Sequence, residues 1–391
     1  MAPPSENPIN PLLVAIGGAV AMATYMGLGR FVYTPILPVM VEHLGYSKGQ
    51  VGVIASSNFL GYLTGVLIGA TPWIKGSRRA WALAMLALSA VTTGALAFFS
   101  SILVLSVLRF VGGVASAIGF VFLAALVIDR LTQAGRVGLL SVQFAGVGIG
   151  IASSAFMVSV MIRCGAGPYG LWLACGAAGL VSILLVALLI PARTDTPVAA
   201  AASGSRGGMI NSAIIRIFLA YSLYGFGYVI TVTFLVAIVR ANPAIQPLEF
   251  WIWIIVGLAA APSIALWNRI ARKLGPKRTY ALACVAEAIG VASSVLWQEP
   301  AGAILAAVLL GGTFVALTPL GIAAAREHAA GDPRIIISGI SVGFGIGQII
   351  GPIFAGWLFD SIGSFMPSTL AAAGALLVAA GLMLSIRPAR V

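Results

Sequence analysis

Apolar residues run along this chain in long blocks, and clusters of charge, Pro and Gly divide the blocks from one another. A helix needs about 20 mainly apolar residues to cross the hydrocarbon core of a bilayer. Cutting the chain at its polar clusters predicts twelve such spans: 12–40, 47–71, 80–99, 102–128, 137–162, 168–190, 213–240, 248–268, 279–297, 301–325, 335–359 and 364–386. The longest polar interruption, from Pro191 to Ser212, is rich in Ala, Gly and Ser and falls at the middle of the chain. Such a stretch reads as a linker. The expected organisation is a disordered cytoplasmic tail over 1–11, a six-helix bundle over 12–190, a cytoplasmic linker over 191–212, a second six-helix bundle over 213–386 and a short tail over 387–391. The fold class is an all-α membrane protein.

Composition supports lipid as the solvent. Hydrophobic residues make up 60% of the 391 positions and charged residues only 8%, against about 25% charged in soluble domains. The net charge of +12 would suggest nucleic acid in a soluble protein. Here the basic residues sit in short loops, where they set orientation in the membrane. With the N-terminus inside, the inner side holds Lys75, Arg78, Arg79, Arg130, Arg136, Arg193, Arg206, Arg216, Arg269, Arg272, Lys273, Lys277, Arg278, Arg326, Arg334, Arg387 and Arg390. The outer side holds Lys48, Arg163 and Arg240. That bias places both termini in the cytoplasm of a bacterial inner membrane and supports an even number of spans. The first eleven residues carry no Lys or Arg, so they lack the basic region of a secretory signal.

The two bundles share a pattern. GLG at 27–29 reappears as GFG at 225–227, and Gly76, Arg78 and Arg79 reappear as Gly275, Lys277 and Arg278. Gly112 and Gly113 pair with Gly311 and Gly312, and GVGIG at 146–150 returns as GFGIG at 343–347. All four matches fall in order near one offset, which marks an internal repeat. Glycine lets membrane helices approach closely, so Gly146, Gly150, Gly347, Gly351 and Pro352 are expected at packing or gating contacts. Two similar halves with a site between them suit alternating access.

These residues resemble the major facilitator superfamily of transporters across essentially the whole chain. The loop from Gly69 to Arg79 looks like that family's cytoplasmic loop motif, but Trp73 stands where the family has an acid. Leu105, Arg109, Gly112, Gly113 and Ala115 resemble its fourth-helix motif, and Gly347, Gly351, Pro352, Ala355 and Gly356 resemble its Gly-Pro motif. The run GLGRFVYTPILPVM at 27–40 is similar to the YbfB/YjiJ-type branch. The resemblance implies a secondary transporter rather than an enzyme, and leaves the substrate open.

A charged side chain within a span costs about 2.5–3.5 kcal/mol on insertion scales and is a functional candidate by default. Three stand out: Arg30 in span 1, Arg109 in span 4 and Glu287 in span 9. Spans 1 to 6 offer Arg30 and Arg109 no carboxylate. A guanidinium without an acid favours an anionic ligand, so Arg30 is the candidate anion-binding residue. Its other readings are snorkelling outward or capping carbonyls freed near Pro35 and Pro38. By the resemblance, Arg109 has a coupling or structural role. Glu287 is either a proton carrier or a peripheral acid, since in the family span 9 lies outside the central cavity. Tyr33, Thr34, Asn58, Tyr62, Gln143, Tyr224, Tyr228 and Gln348 are candidate substrate contacts, with Tyr221 and Thr231 on the same stripe as Tyr224 and Tyr228. Trp251 and Trp253 read as interfacial belt residues.

The repeat sets Tyr228 opposite Arg30, so the halves carry no symmetric arginine pair. Organophosphate exchangers of the superfamily do, which favours a monoanion such as a small carboxylate. The expected function is proton-coupled transport of a small organic anion by a monomer. The alternative is proton-driven export of drugs or metabolites. No HExxH, GxSxG or Walker motif occurs, and the cysteines at 164, 175 and 284 are isolated. Neither a cofactor nor a metal is expected.

Overall fold

The structure is a computed structural model that describes residues 10–69, 71, 74–192, 211–328 and 333–386. Trp73 and the linker residues 193–210 lie outside the described residues. Twelve helices are long and apolar enough to span a membrane. They are α1 (Pro11–Leu44), α2 (Lys48–Gly69), α3 (Arg78–Phe98), α4 (Ile102–Gln133), α5 (Val137–Arg163), α6 (Pro168–Leu189), α7 (Ser212–Ala241), α8 (Gln246–Leu274), α9 (Pro276–Leu296), α10 (Pro300–His328), α11 (Pro333–Ile362) and α12 (Met366–Leu384). Large apolar side chains such as Leu103, Leu188 and Trp357 cover the outer surface of the bundle, as a lipid-facing surface requires.

Local chemistry sets the helix ends. The Asn10 and Ser77 side chains accept from Leu12 and Ala80 N–H, and Asn211 accepts from Ile214, each satisfying a donor the helix leaves free. Proline opens α6 and α9, where its missing N–H has no consequence. Gly45 closes α1 with φ of 69°, a left-handed turn that strongly favours glycine. Three helices, α1, α4 and α8, outrun their predicted spans by about a turn or more, so Glu42, Asp129, Arg272 and Lys273 fall in helical end turns rather than loops.

The sequence repeat is a packing repeat. In the first half α1 packs on α5 and α6, α2 on α4, and α3 on α4 and α6. In the second half α7 packs on α11 and α12, α8 on α10, and α9 on α10 and α12. A Cβ at Gly27 would strike the backbone of Gly150, and one at Gly150 the backbone of Ala23. Likewise a Cβ at Gly225 would strike Phe344 O, and one at Gly347 the backbone of Ser222 and Phe226. The register of one pair needs correction. Gly113 lies on the Asn58 carbonyl of α2 and Gly311 on the Val256 carbonyl of α8, so these two are equivalent. Gly112 faces Thr92 of α3, whereas Gly312 meets nothing within 4 Å.

The halves meet along two symmetric seams, α2 with α11 and α5 with α8, and along α1 with α7. Gly52 lies on the Pro352 carbonyl in one seam and Gly148 on Gly257 and Ala261 in the other. Among the described residues, the hydrogen bonds between halves run from mid-helix to the end of the bundle far from the termini. Thr34 donates to Val232 O (2.7 Å), Ser56 to Ile349 O (2.7 Å) and Ser159 to Phe250 O (3.4 Å). Asp360 accepts from Ser47 Oγ (2.7 Å), Lys48 N (3.0 Å) and Gly49 N (2.9 Å), capping α2 from the other half. Arg240 bridges Glu42 across the halves (2.9 Å) and Glu249 within its own (2.5 Å). The far end is therefore closed.

Candidate functional site

The site begins with a break in α1. Residues Ala23–Phe31 form a π-helical segment, and Val32 N–H donates to Gly27 O at 2.8 Å, five residues back. Such segments leave backbone carbonyls in search of donors and are frequent at functional sites. Pro35, four residues after Phe31, has no N–H to give its carbonyl.

Two side chains supply the missing donors. Arg109 Nη1 donates to Gly29 O (3.0 Å) and its Nη2 to Arg30 O (3.2 Å). Trp253 Nε1, from α8 of the other half, donates to Phe31 O (3.1 Å). Arg109 is 3% exposed. Its guanidinium carbon lies 4.9 Å from the Tyr33 ring centre, and its carbonyl accepts from Asn58 Nδ2 (2.9 Å). The guanidinium of Arg109 is thus engaged with backbone, so carbonyl capping falls to Arg109 and not to Arg30. Trp253 is buried and bonded across the halves rather than sitting in an interfacial belt, whereas Trp251 is exposed.

Arg30 is held the opposite way. It is 6% exposed, so it does not snorkel outward. Its guanidinium carbon lies 4.3 Å from the Tyr62 ring centre, 4.7 Å from Phe59 and 5.3 Å from Phe31. Its Nε and Nη2 are buried without a hydrogen-bond partner. Among the described residues, the ion pairs involve Arg78 with Asp129 and Arg240 with Glu42 and Glu249, and none involves Arg30 or Arg109. Aromatic faces contribute about 0.5–2 kcal/mol each to a cation. Desolvating an ion costs several kcal/mol, which these contacts offset only in part. The Arg30 fork is left with open donors.

The second half brings a stack of rings to this cation. Tyr228 lies nearly parallel to Phe344 (4°), Phe314 (15°) and Tyr224 (24°), with centres 5.1–5.9 Å apart. Tyr221 continues the stack on Phe344. Phe314 also meets Phe31 edge-on at 5.5 Å, joining the halves. Gln348 Nε2 donates to the Tyr228 hydroxyl, and the Tyr224 hydroxyl donates to Phe314 O. Arg30 lies over the Tyr62 and Phe31 rings, and Phe31 meets Phe314, on which Tyr228 stacks. The structure therefore gathers Arg30, Tyr62, Tyr224, Tyr228 and Gln348 in one place.

Other candidates lie elsewhere. The Tyr33 hydroxyl donates to Val51 O (2.8 Å), and the Thr34 hydroxyl bridges to α7 at the closed end. Asn58 holds the Arg109 backbone with its amide nitrogen and leaves Oδ1 unpartnered. Gln143 is fully buried against Gly18 of α1, with both amide atoms unpartnered. Gly146 and Gly150 lie on α1, Gly347 and Gly351 on α7, and the Pro352 carbonyl faces α2. Glu287 is fully buried on α9.

Sequence reasoning passed over Phe31, Phe59, Phe314 and Phe344, since apolar aromatics in a span carry no cost that marks them. A signal existed for two of them. Phe59 sits one turn before Tyr62, and Phe344 replaces Val147 in the otherwise matching GVGIG and GFGIG runs. The repeat departs from symmetry at Arg30 with Tyr228 and at Val147 with Phe344, and three of these four residues meet at the site.

Residues 22–384 match the family model described as "Uncharacterised MFS-type transporter YbfB". No curated protein sequence matches the chain. Among solved structures, a mutant form of the nucleoside transporter NupG superposes with a TM-score of 0.75 at 15% identity, over 96% of this chain and 99% of that one. A second structure of NupG gives 0.73 at 16% identity, over 96% and 100%. At such identity the likeness shows the fold alone.

Proposed function

Because the chain belongs to the YbfB-type family of major facilitator transporters, we propose that the solute it moves is a small organic anion held by Arg30. The observation that carries this reading is the buried Arg30 guanidinium, with two nitrogens lacking a partner and no acid paired to it. A carboxylate fits the planar fork of an arginine and removes the desolvation penalty that the aromatic faces leave standing. The Gln348 amide and the hydroxyls of Tyr62 and Tyr228 offer further polar contacts, and the flat faces of Tyr228, Phe314 and Phe344 suit the apolar part of the anion.

Transport follows from the two-half architecture. The far-end hydrogen bonds hold the halves together around Thr34, Asp360 and Arg240. Rocking one half on the other along the α2–α11 and α5–α8 seams breaks these bonds and opens the site to the opposite side. With both termini in the cytoplasm of a bacterial inner membrane, the reading that the excess of basic loop residues supports, the closed far end faces outward. The chain acts as a monomer, with one substrate site between its halves. Proton coupling completes the reading.

The test is counterflow in proteoliposomes with pyruvate, gluconate and hippurate, beside tetraphenylphosphonium as a lipophilic cation. One charge-assisted contact contributes about 1.5–3 kcal/mol, so Arg30→Ala is expected to weaken anion affinity about 10- to 100-fold. Arg30→Lys keeps the charge, loses the fork and falls between. Anion affinity unchanged in both variants, or transport of the cation alone, overturns the assignment.

A further inference from the structure

Among the described residues, α1 is hydrogen-bonded to the second half at the Phe31 carbonyl, the Thr34 hydroxyl and the Glu42 carboxylate. At about 1.5 Å per residue the second and third bonds lie about 4.5 Å and 16 Å outward of the first. The innermost partner is Trp253 of α8, which donates to Phe31 O at 3.1 Å. Of these bonds, it is the one made to the segment that carries Arg30. Trp253 is 1% exposed, and an indole N–H can only donate. Pro35, four residues past Phe31, has no N–H to return. An indole from the other half therefore takes the place of a helical donor.

Phe31 joins the halves through its ring as well. Its ring centre lies 5.3 Å from the Arg30 guanidinium carbon and, edge-on, 5.5 Å from Phe314 of α10. Phe314 in turn stacks on Tyr228 at 15°. With the outer end closed, Phe31 is thus held at both carbonyl and ring and completes the wall beside Arg30. Opening that end draws α1 away from α8 and α10. Trp253 sits one turn inside Phe250 on α8, whose carbonyl takes the Ser159 hydroxyl across the seam. The Trp253 bond parts with that outer layer, and Phe31 loses its carbonyl partner and Phe314 together.

Building on the anion site proposed above, we infer that Trp253 is the positioning residue that ties anion binding at Arg30 to closure of the outer end. The anion rests on the Arg30 fork of the first half and on the Tyr228 and Phe314 rings of the second, so it draws the halves together. With the halves together, the Trp253 indole holds the Phe31 carbonyl and Phe31 keeps its ring against the guanidinium. Closure and anion binding raise each other by the same factor. Without the indole N–H, Phe31 is held no better in the closed state than in the open one. The anion then loses most of its preference between the two.

The experiment follows a Val232→Cys reporter in a Cys164→Ser background, in right-side-out membrane vesicles treated with an impermeant maleimide. The ligand is the anion of the counterflow panel with the strongest signal. Val232 is 1% exposed, and its carbonyl accepts from Thr34 in the closed state. Saturating anion is expected to slow labelling about fivefold, the equilibrium effect of about one hydrogen bond. In Trp253→Phe, with anion raised to saturate that variant, the slowing is expected to shrink below about twofold. Benzothienylalanine in place of Trp253 exchanges only the N–H for sulfur and keeps the ring shape. It should lose the protection too, and it decides the matter if Trp253→Phe packs or folds poorly. Thr34→Val removes a bond of the same outer layer without bonding to Phe31, so it should label faster without anion yet keep the full protection. Protection that survives benzothienylalanine, that Thr34→Val loses to the same extent, or that the parent protein lacks overturns the inference. Failure of the anion site itself shows separately, as counterflow indifferent to Arg30→Ala.

Discussion

Arg109 donates to the backbone carbonyl of Arg30 at 3.2 Å. One guanidinium therefore fixes the main chain that carries the other, and its forked donors are taken up by the π-helical segment of α1. Arg30, freed from that task, points its own fork at an aromatic box with no acid beside it. The two buried arginines are held in opposite ways, one by backbone carbonyls and the other by aromatic faces.

The division predicts opposite stability effects. Arg109→Ala strands the Gly29 and Arg30 carbonyls and removes two charged hydrogen bonds, each contributing about 1.5–3 kcal/mol. Its melting temperature in detergent is expected to fall by several degrees. Arg30→Leu removes an unpaired buried cation and should be neutral or stabilising, as replacements of buried charge often are. The same Arg30→Leu protein is expected to bind the anion about 10- to 100-fold more weakly, as in Arg30→Ala. A larger loss of stability from Arg30→Leu than from Arg109→Ala contradicts the assignment of roles.

Tyr228→Phe keeps the stacked ring and deletes only the hydroxyl. Anion affinity is expected to fall about 5- to 10-fold through the loss of about 1 kcal/mol of hydrogen bonding. Tyr221→Phe, whose hydroxyl donates to Thr318 O at 3.1 Å, serves as the control and should leave anion affinity unchanged.

Asp360 holds the first turn of α2 across the seam between halves. Loss of such a cap costs about 0.5–2 kcal/mol, all of it from the state closed at the far end. Asp360→Ala should therefore open that end several-fold more often. Val232 is 1% exposed in the closed state, so a Val232→Cys reporter in a Cys164→Ser background will react with an impermeant maleimide only on opening. Equal labelling rates with and without Asp360→Ala would remove Asp360 as a latch.

Helix contacts on glycine backbone tolerate no side chain. Gly27→Val and Gly150→Val force α1 and α5 apart and should abolish folded protein on size-exclusion chromatography. Gly312→Ala, at a position with nothing within 4 Å, should change the melting temperature by less than about 2 °C.

Much of this protein was legible in its sequence. The twelve spans follow from apolar length alone, and the described helices agree with them to within a few residues, apart from the longer ends of α1, α4 and α8. The repeat was legible because both halves solve the same packing problem, a close approach of α1 to α5 and of α7 to α11. Arg30, Arg109 and Glu287 stood out because their desolvation cost belongs to the residue type and needs no partner to be recognised.

Their roles were not legible, because a role depends on what stands opposite. Arg30 and Arg109 look alike as charges in a span. Only the fold shows that the carbonyls of Gly29 and Arg30 face one of them and aromatic rings the other. Trp253 caps Phe31 and Asp360 caps α2 across the halves, hundreds of residues away in sequence. Hydropathy and charge are properties of single positions summed along the chain. Hydrogen-bond satisfaction is a property of pairs, and three-dimensional packing chooses the pairs.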